Sequence, residues 1–245
     1  MVLLFPLIHG IYISATVLLM VALGGLFAER SGVTNIALEG IMLIGGFAGI
    51  GVLHLIETPD ANPQLLYLIA MAVGAIVGGG YAMIHAYASI QLKANQIISA
   101  TALNLFAPAF AIFVARILQN GGSQIQFVTR FRILEVPILS DIPIIGPLLF
   151  ERVFISFYIV IGLFFLAKYI MDKTKFGLRI RAMGENPQAA DSLGVNIYKY
   201  RFIAVTISGM LAGMGGVVFV ATTSTEYAAT VAGFGFLAIA LLIFG

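Results

Sequence analysis

Few side chains in this sequence could do chemistry, and the clearest is a carboxylate inside an apolar stretch. Glu39 is flanked by apolar residues, and Asn35 lies four positions earlier, so a helix over this region places both on one face. A charge in apolar surroundings is costly and needs a physical reason. Two interpretations stay open. In the first, Glu39 lines a polar substrate path or anchors a break in the helix. In the second, it snorkels or pairs with a neighbour and fixes packing.

A second polar group opens a later apolar stretch, in the sequence NQIISATALN. Its candidate binding residues are Asn95, Thr101 and Asn104, of which Thr101 and Asn104 share a helical face. An amide donates and accepts hydrogen bonds at once, which suits a neutral solute with hydroxyls and ring nitrogens. Hydrogen bonding between helices is the alternative interpretation.

Several chemistries are excluded by what the sequence lacks. It contains no cysteine, and its 3 histidines do not have the H-E-x-x-H spacing of a metal site. No lysine follows a glycine, so the phosphate-binding pattern G-x-x-x-x-G-K-[ST] is absent. A formal net charge of +2 leaves no basic field for nucleic acid. We therefore expect no catalytic residue, no metal site, no cofactor and no nucleic-acid partner for this chain.

The elements that must position these side chains are membrane-spanning helices. The 245 residues are 60% hydrophobic and 10% charged, whereas a soluble domain averages about a quarter charged residues. About 20 apolar residues cross the hydrocarbon. The sequence predicts an all-α polytopic bundle, a single domain over 1–245 with at least six spans and a partial seventh. The final apolar stretch, GFGFLAIALLIFG, is too short to cross, which suggests a truncated C-terminus, with a last helix that is only half inserted as the alternative. The predicted spans are 9–28, 34–55, 65–88, 96–118, 153–171 and 202–222.

Glycines spaced four apart predict where these helices pack together. Such pairs remove the side chains that would hold two helices apart, so we expect close helix packing at each of them. Pairwise motion of the helices is the alternative role. The pairs are Gly45 with Gly49, Gly74 with Gly78, and Gly209 with Gly213.

Basic residues predict the orientation of the bundle. The segment 173–201 contains six Lys and Arg residues, which makes it cytoplasmic by the positive-inside rule. Alternation then places the N-terminus and the long connection 119–152 outside, although three arginines in that connection oppose this assignment. Prolines in the stretch VPILSDIPIIGPLLF break any long helix there. We expect this stretch to lie on or dip into the outer face, with a plain tether as the alternative.

The cytoplasmic segment contains the start and stop signals of a short helix. Asn186 can cap its N-terminus, Pro187 suits the first helical position, and Gly194 can adopt the left-handed conformation that ends it. So short a helix is marginal alone in water and needs a surface to dock on, unless it is merely a helical turn within an ordinary loop. The residues assigned to it and its flanks are Glu185, Asn186, Pro187, Ala189, Ala190, Asp191, Leu193 and Gly194, with the alanines and the leucine forming a small apolar face.

The stretch GLRIRAMGENPQAADSLGVNIYKYR resembles the cytoplasmic loop of ABC-importer permeases of the branched-chain amino acid, ribose and nucleoside group. With FAERSGVTNIALEG and SDIPIIGPLLF, the resemblance covers most of residues 20–245 and is strongest to the shorter permease subunit of bacterial nucleoside importers. In that family the short helix is a coupling helix that sits in a groove of a separate ATPase. The resemblance implies that 173–201 is a coupling loop and that the chain is a multi-pass plasma-membrane subunit and no enzyme.

The same resemblance implies partners and a substrate. ATPase subunits bind ATP and Mg, a second permease subunit completes a heterodimeric path within the membrane lipid, and an extracellular binding protein delivers the substrate. The implied substrate is a nucleoside, with ribose-like sugars or branched-chain amino acids as the alternative. An ion-coupled secondary transporter is the competing class. That class would need a series of charged groups at the membrane midplane, and Glu39 is a single one.

Overall fold

The computed structural model describes residues 4–135, 146 and 150–244. It consists of long helices with a few short ones after the fifth, and a π-helical turn, Tyr87–Gln91, extends the third long helix. The long helices are α1 (Leu4–Arg30), α2 (Leu38–Ile56), α3 (Pro63–Ala86), α4 (Gln96–Leu118), α5 (Ile155–Lys173) and α8 (Ile197–Thr223). The short helices are α6 (Lys175–Glu185), α7 (Pro187–Ser192) and α9 (Phe234–Phe244).

The six long helices are all long and apolar enough to cross a membrane, which confirms the predicted all-α polytopic bundle. Each one overlaps a predicted span. The clearest differences are at three helix starts: α1 and α8 begin earlier than predicted, at Leu4 and Ile197, and α2 begins later, at Leu38. The later start of α2 matters for the functional site described below.

Two short antiparallel strand pairs close one end of the bundle. Strand β1 (Ile125–Gln126) pairs with β4 (Glu226–Tyr227), and β2 (Arg132–Glu135) pairs with β3 (Glu151–Phe154). These strands lie in and after the connection predicted to be external. The prediction that the proline-rich stretch dips into the outer face falls almost wholly on 136–145 and 147–149, which lie outside the described residues.

Helix α8 forms the centre of the bundle, and glycines let its neighbours approach it closely. A methyl group on Gly78 of α3 would lie 2.6 Å from the carbonyl oxygen of Gly209, and one on Gly74 would lie 2.9 Å from that of Gly213. A methyl group on Gly45 of α2 would meet the same Gly213 carbonyl oxygen, at 2.7 Å, so α2, α3 and α8 come together at this point. The prediction that the glycine pairs mark close helix packing is confirmed.

Helices α4 and α5 lie at the periphery. Only 17% of the apolar stretch of α4 and 22% of that of α5 is buried, against 61% for α8. Apolar surface of this extent is unusual on a soluble monomer. Both helices therefore face lipid or another subunit.

The two ends of the bundle differ in charge. The end of α1 lies beside the start of α8, and there Arg201 Nε donates to the carbonyl oxygen of Ser31 at 3.0 Å. We call this the basic end and the opposite one the strand end. The basic end holds Arg30, Lys93, Lys168, Lys173, Lys175, Arg179, Arg181, Lys199 and Arg201, and the strand end holds Arg116, Arg130, Arg132 and Arg152. That the basic end faces the cytoplasm stays a prediction of the positive-inside rule.

Candidate functional site at two interrupted crossings

The first interrupted crossing is the one that contains α2. The residues 31–37 that precede it form turns and irregular backbone and run into the bundle beside α8. Asn35, which is only 4% exposed, donates from Nδ2 to Ser208 Oγ at 2.9 Å. Ser208 lies eleven residues beyond Ile197, so this contact is about 16 Å inside the start of α8. Helix α2 thus begins near the middle of the bundle.

This geometry corrects the predicted helical stripe. A helix starting near Gly32 would have put Asn35 and Glu39 on one face, but Asn35 precedes the helix and Glu39 lies in its first turn. The N–H groups in the first turn of a helix have no partner within that helix, and for α2 the groups that accept them lie deep in the bundle. Helix α2 therefore begins there. The two side chains therefore make separate contacts.

Glu39 binds the start of another helix. Its Oε1 accepts the N–H of Gly233 at 2.9 Å, and its Oε2 accepts the N–H of Gly235 at 2.7 Å. Helix α9 begins at Phe234, so the carboxylate satisfies two free N–H groups at the positive end of that helix. Gly233 has φ +80°, a left-handed conformation that glycine adopts without strain. Glu39 therefore joins the first turn of α2 to the start of α9, and its role in a substrate path stays a prediction.

Helix α9 is the helical half of a second interrupted crossing. Its start lies beside Glu39, whereas Leu242 near its end lines a cleft with Leu26 and Arg30 at the basic end. The chain reaches α9 from the strand end, where β4 pairs with β1, and the Tyr227 side chain extends inward from there to donate its hydroxyl proton to the carbonyl oxygen of Leu43 at 3.0 Å. Residues 224–244 thus run from one end of the bundle to the other, first as irregular backbone and then as helix.

Asn104 holds the start of α2 in place. Its Oδ1 accepts the N–H of Gly40 at 2.8 Å, and its Nδ2 donates to the carbonyl oxygen of Ile36 at 3.0 Å. Both polar atoms of the amide are therefore occupied by the backbone of the first crossing. Of the two predicted interpretations, the structure shows hydrogen bonding between helices. Tyr81 supports the same region by donating to the carbonyl oxygen of Leu103 at 2.8 Å.

The other two candidates on α4 do not join this site. Asn95 caps α4 by accepting the N–H groups of Ile97 and Ile98 at 2.9 and 3.3 Å. Thr101 is exposed and donates to the carbonyl oxygen of Ile97 in its own helix at 2.8 Å. Both serve the local geometry of α4 in this structure.

Sequence reasoning missed the residues that meet Asn35 and Glu39. Ser208, Gly233 and Gly235 are polar or small residues within or next to long apolar runs, and the sequence pattern alone does not single them out. The glycine before the final apolar run was the available signal, because glycine is common where a chain turns sharply into a helix.

The short helix in the basic segment is present as α7. Asn186 Oδ1 accepts the N–H of Ala189 at 3.0 Å, Pro187 occupies the first turn, and Gly194 follows the helix with φ +77°. Glu185 ends α6, and Asp191 is exposed. These contacts are the cap, the first-turn proline and the glycine stop that the sequence predicts.

The residues of the predicted apolar face of α7 do not all point the same way in the structure. Ala190 is 3% exposed and packs within this chain, whereas Leu193 is 83% exposed and Ala189 is also exposed. The alanine points inward because α7 turns back on α6, and the two helices pack together. The surface available to a partner is therefore formed by Ala189 and Leu193 without Ala190.

Helix α6 attaches this segment to the first crossing. A methyl group on Gly184 would collide with the carbonyl oxygen of Arg30, and it lies next to the N–H of Gly32 as well. Arg201 completes the contact through its hydrogen bond to Ser31. The backbone that leads into α2 is thus held by α6 and α8 at the basic end.

Among the described residues no group of three His, Asp or Glu side chains could hold a metal ion. The fold and the two interrupted crossings define a multi-pass membrane protein with polar contacts at its centre. Broken helices that begin near the bilayer midplane are typical of transport proteins. Residues 7–245 match the family described as the permease component of the branched-chain amino acid transport system, and the chain belongs to this family.

Individual relatives agree with this family. The chain is 38% identical over 240 residues to the nucleoside ABC transporter permease protein NupC of Lactococcus lactis subsp. cremoris, with 98% of this chain and 75% of that protein covered. It is 40% identical over 235 residues to the guanosine ABC transporter permease protein NupQ of Bacillus subtilis, covering 94% and 72%. The putative glucose ABC transporter permease protein TsgC13 of Haloferax volcanii is 31% identical over 236 residues, covering 94% and 68%. No solved structure matches the chain.

Proposed function

We propose that this chain is the membrane-spanning permease subunit of an ATP-driven nucleoside importer. The observation that carries the proposal is the junction of two interrupted crossings, where Glu39, the only carboxylate there in the described part of the chain, accepts a backbone N–H at each oxygen. Among the described residues, the centre of the bundle therefore offers amides, hydroxyls and backbone groups but no free charge. The names of the relatives NupC and NupQ support a nucleoside, which is a neutral and polar solute.

The energy for transport comes from separate ATPase subunits, which bind ATP and Mg. This chain has no phosphate-binding glycine loop of its own. The exposed Leu193 beside α7 is the apolar contact expected of a helix that docks on such a subunit. The basic end then faces the cytoplasm, and the N-terminus lies outside.

Two further partners complete the importer. A second permease subunit, different from this one, pairs with it across the peripheral helices, and an extracellular binding protein delivers the nucleoside to the strand end. The low burial of α4 and α5 supports contacts of these helices with lipid and with the second subunit.

Sugars are the second candidate substrate, because the relative TsgC13 is named as a putative glucose permease and a sugar is also neutral. A branched-chain amino acid carries two opposite charges and would need counter-charges at the centre of the bundle. An ion-coupled transporter would need a carboxylate free to bind and release an ion, whereas both oxygens of Glu39 accept backbone N–H groups.

Uptake by the reconstituted importer tests the proposal. The chain, its partner permease, the ATPases and the binding protein are placed in proteoliposomes, and uptake of labelled guanosine, uridine, glucose and leucine is compared. We expect ATP-dependent uptake of the nucleosides that survives an ionophore. Uptake that needs no ATP and stops with the ionophore would identify a secondary transporter instead, and selective uptake of leucine would refute the nucleoside assignment.

A further inference from the structure

The non-helical half of the second crossing has one face open to the outside of the chain. We call residues 228–232 the open segment. Their burial alternates along the chain, although the backbone is irregular and Ala229 and Ala232 both have φ +52°. Ala229 and Val231 are buried, whereas Ala228, Thr230 and Ala232 are exposed.

The open segment lies deep in the bundle. At one end, the ring of Tyr227 packs against Phe47, with ring centroids 5.7 Å apart, and at the other end Gly233 binds Glu39. Phe47 and Glu39 lie nine and seventeen residues from Ile56 at the strand end of α2, or about 14 and 25 Å along the helix axis. A hydrocarbon core about 30 Å thick therefore encloses the open segment.

The backbone of the open segment is short of hydrogen bonds. The N–H groups of Ala229, Thr230 and Val231 have no partner within the described part of the chain. Thr230 Oγ accepts the N–H of Ala232 at 3.2 Å, and the proton of that hydroxyl has no acceptor among the described residues. Irregular backbone with unpaired polar groups does not occur against lipid, and it is tolerated only inside protein or along a water-filled cavity.

We propose that the open segment lines the aqueous path of the permease, and that its backbone groups and the Thr230 hydroxyl bind the transported solute. That this solute is a nucleoside rests on the proposed function. The exposed side chains are a threonine and two alanines, which leave room for a solute to reach the backbone. The exposed side chains of the segment carry no charge, and each oxygen of Glu39 accepts a backbone N–H, so the lining suits a neutral solute with several donors and acceptors.

Cysteine accessibility tests the proposal, and the chain suits the method because it contains no native cysteine. Single variants Ala228→Cys, Thr230→Cys and Ala232→Cys are compared with Ala229→Cys and Val231→Cys in the complete importer in proteoliposomes. A charged, water-soluble methanethiosulfonate reacts with the thiolate, which forms only where water reaches the sulfur. Phe165→Cys on α5, where the native side chain is 63% exposed on a peripheral helix, is the lipid-facing control.

We expect the three exposed positions to react at least about tenfold faster than the two buried ones and the α5 control, because thiolate formation requires water. Guanosine in excess is expected to slow the reaction at position 230. Reaction at the three positions that is as slow as at the α5 control, or that shows no alternation, would overturn the proposal, since lipid or another subunit would then cover the segment.

A second variant guards against a cysteine that disturbs folding. Thr230→Val keeps the shape of the side chain and removes its hydroxyl, so we expect a higher KM for guanosine uptake with little change in kcat. An unchanged KM would remove Thr230 from the binding surface. If the unmodified importer transports no nucleoside while the alternating reactivity persists, the proposed substrate fails and the aqueous lining stands.

Discussion

The contact between Glu39 and the start of α9 leads to the sharpest prediction. Replacing Glu39 by alanine removes both acceptors and leaves the N–H groups of Gly233 and Gly235 unpaired at the centre of the bundle. Glu39→Gln keeps one acceptor oxygen and loses the charge. Glu29→Ala removes an exposed carboxylate at the basic end and serves as the matched control.

The free energy lost in Glu39→Ala depends on whether the two hydrogen bonds to Glu39 are charge-assisted. Hydrogen bonds between neutral side chains in membrane proteins average about 0.6 kcal/mol, so two would contribute about 1.2 kcal/mol. Bonds to a charged group contribute about 1.5–3 kcal/mol each, so two to the carboxylate contribute about 3–6 kcal/mol. We expect the larger value, because both distances, 2.9 and 2.7 Å, are short and the carboxylate faces the positive end of a helix.

Hydrogen exchange of peptides covering residues 230–240 measures the local loss of stability at the start of α9 in the purified chain. A loss of about 3 kcal/mol corresponds to roughly a 150-fold increase in the opening of the first turn of α9. Glu39→Gln is expected to lie between the native protein and Glu39→Ala. The reasoning is wrong if Glu39→Ala raises exchange no more than Glu29→Ala does, or if Glu39→Gln exchanges as the native protein does.

Three other substitutions test separate parts of the structure. Gly78→Ala places a methyl group 2.6 Å from a carbonyl oxygen and should lower thermal stability in detergent, whereas Gly80→Ala, with nothing within 4 Å, should leave it unchanged or higher. Leu193→Asp should abolish ATPase binding in pull-down with the complex, and Leu55→Asp, at an equally exposed leucine of the strand end, should not. Asn104→Leu loses two neutral hydrogen bonds and should lower the free energy of unfolding by about 1.2 kcal/mol, less than Glu39→Ala.

The features that the sequence predicts correctly depend on local chemistry. Six long apolar runs predict six spans, because hydrocarbon thickness sets a minimum helix length. Asn186, Pro187 and Gly194 predict the bounds of α7, because a cap, a first-turn proline and a left-handed glycine act within a few residues. The glycine pairs predict close packing for the same reason, since a missing side chain has a local steric effect.

The features that could not be predicted depend on contacts between distant residues. Val33, Ile36 and Ala37 continue the apolar pattern of α2, so hydropathy cannot show that the helix begins only at Leu38. The start is decided by Asn104, which is more than sixty residues away in the sequence. Similarly, the role of Glu39 follows from glycines almost two hundred residues later, and the burial of Ala190 follows from the turn between α6 and α7.

These distant contacts connect the basic end to the centre of the bundle through one continuous series. Gly184 of α6 lies against the Arg30 carbonyl, and Arg201 holds Ser31 at the beginning of the irregular backbone that leads into α2. The first turn of α2 in turn carries Glu39, which binds the start of α9. If a partner docks on α7 as we propose, we expect a displacement of α6 and α7 to move the start of α2, and with it the end of the open segment. Because both crossings are interrupted at this level, such a movement needs no helix to bend in the middle, and a small shift at the basic end can change access at the centre.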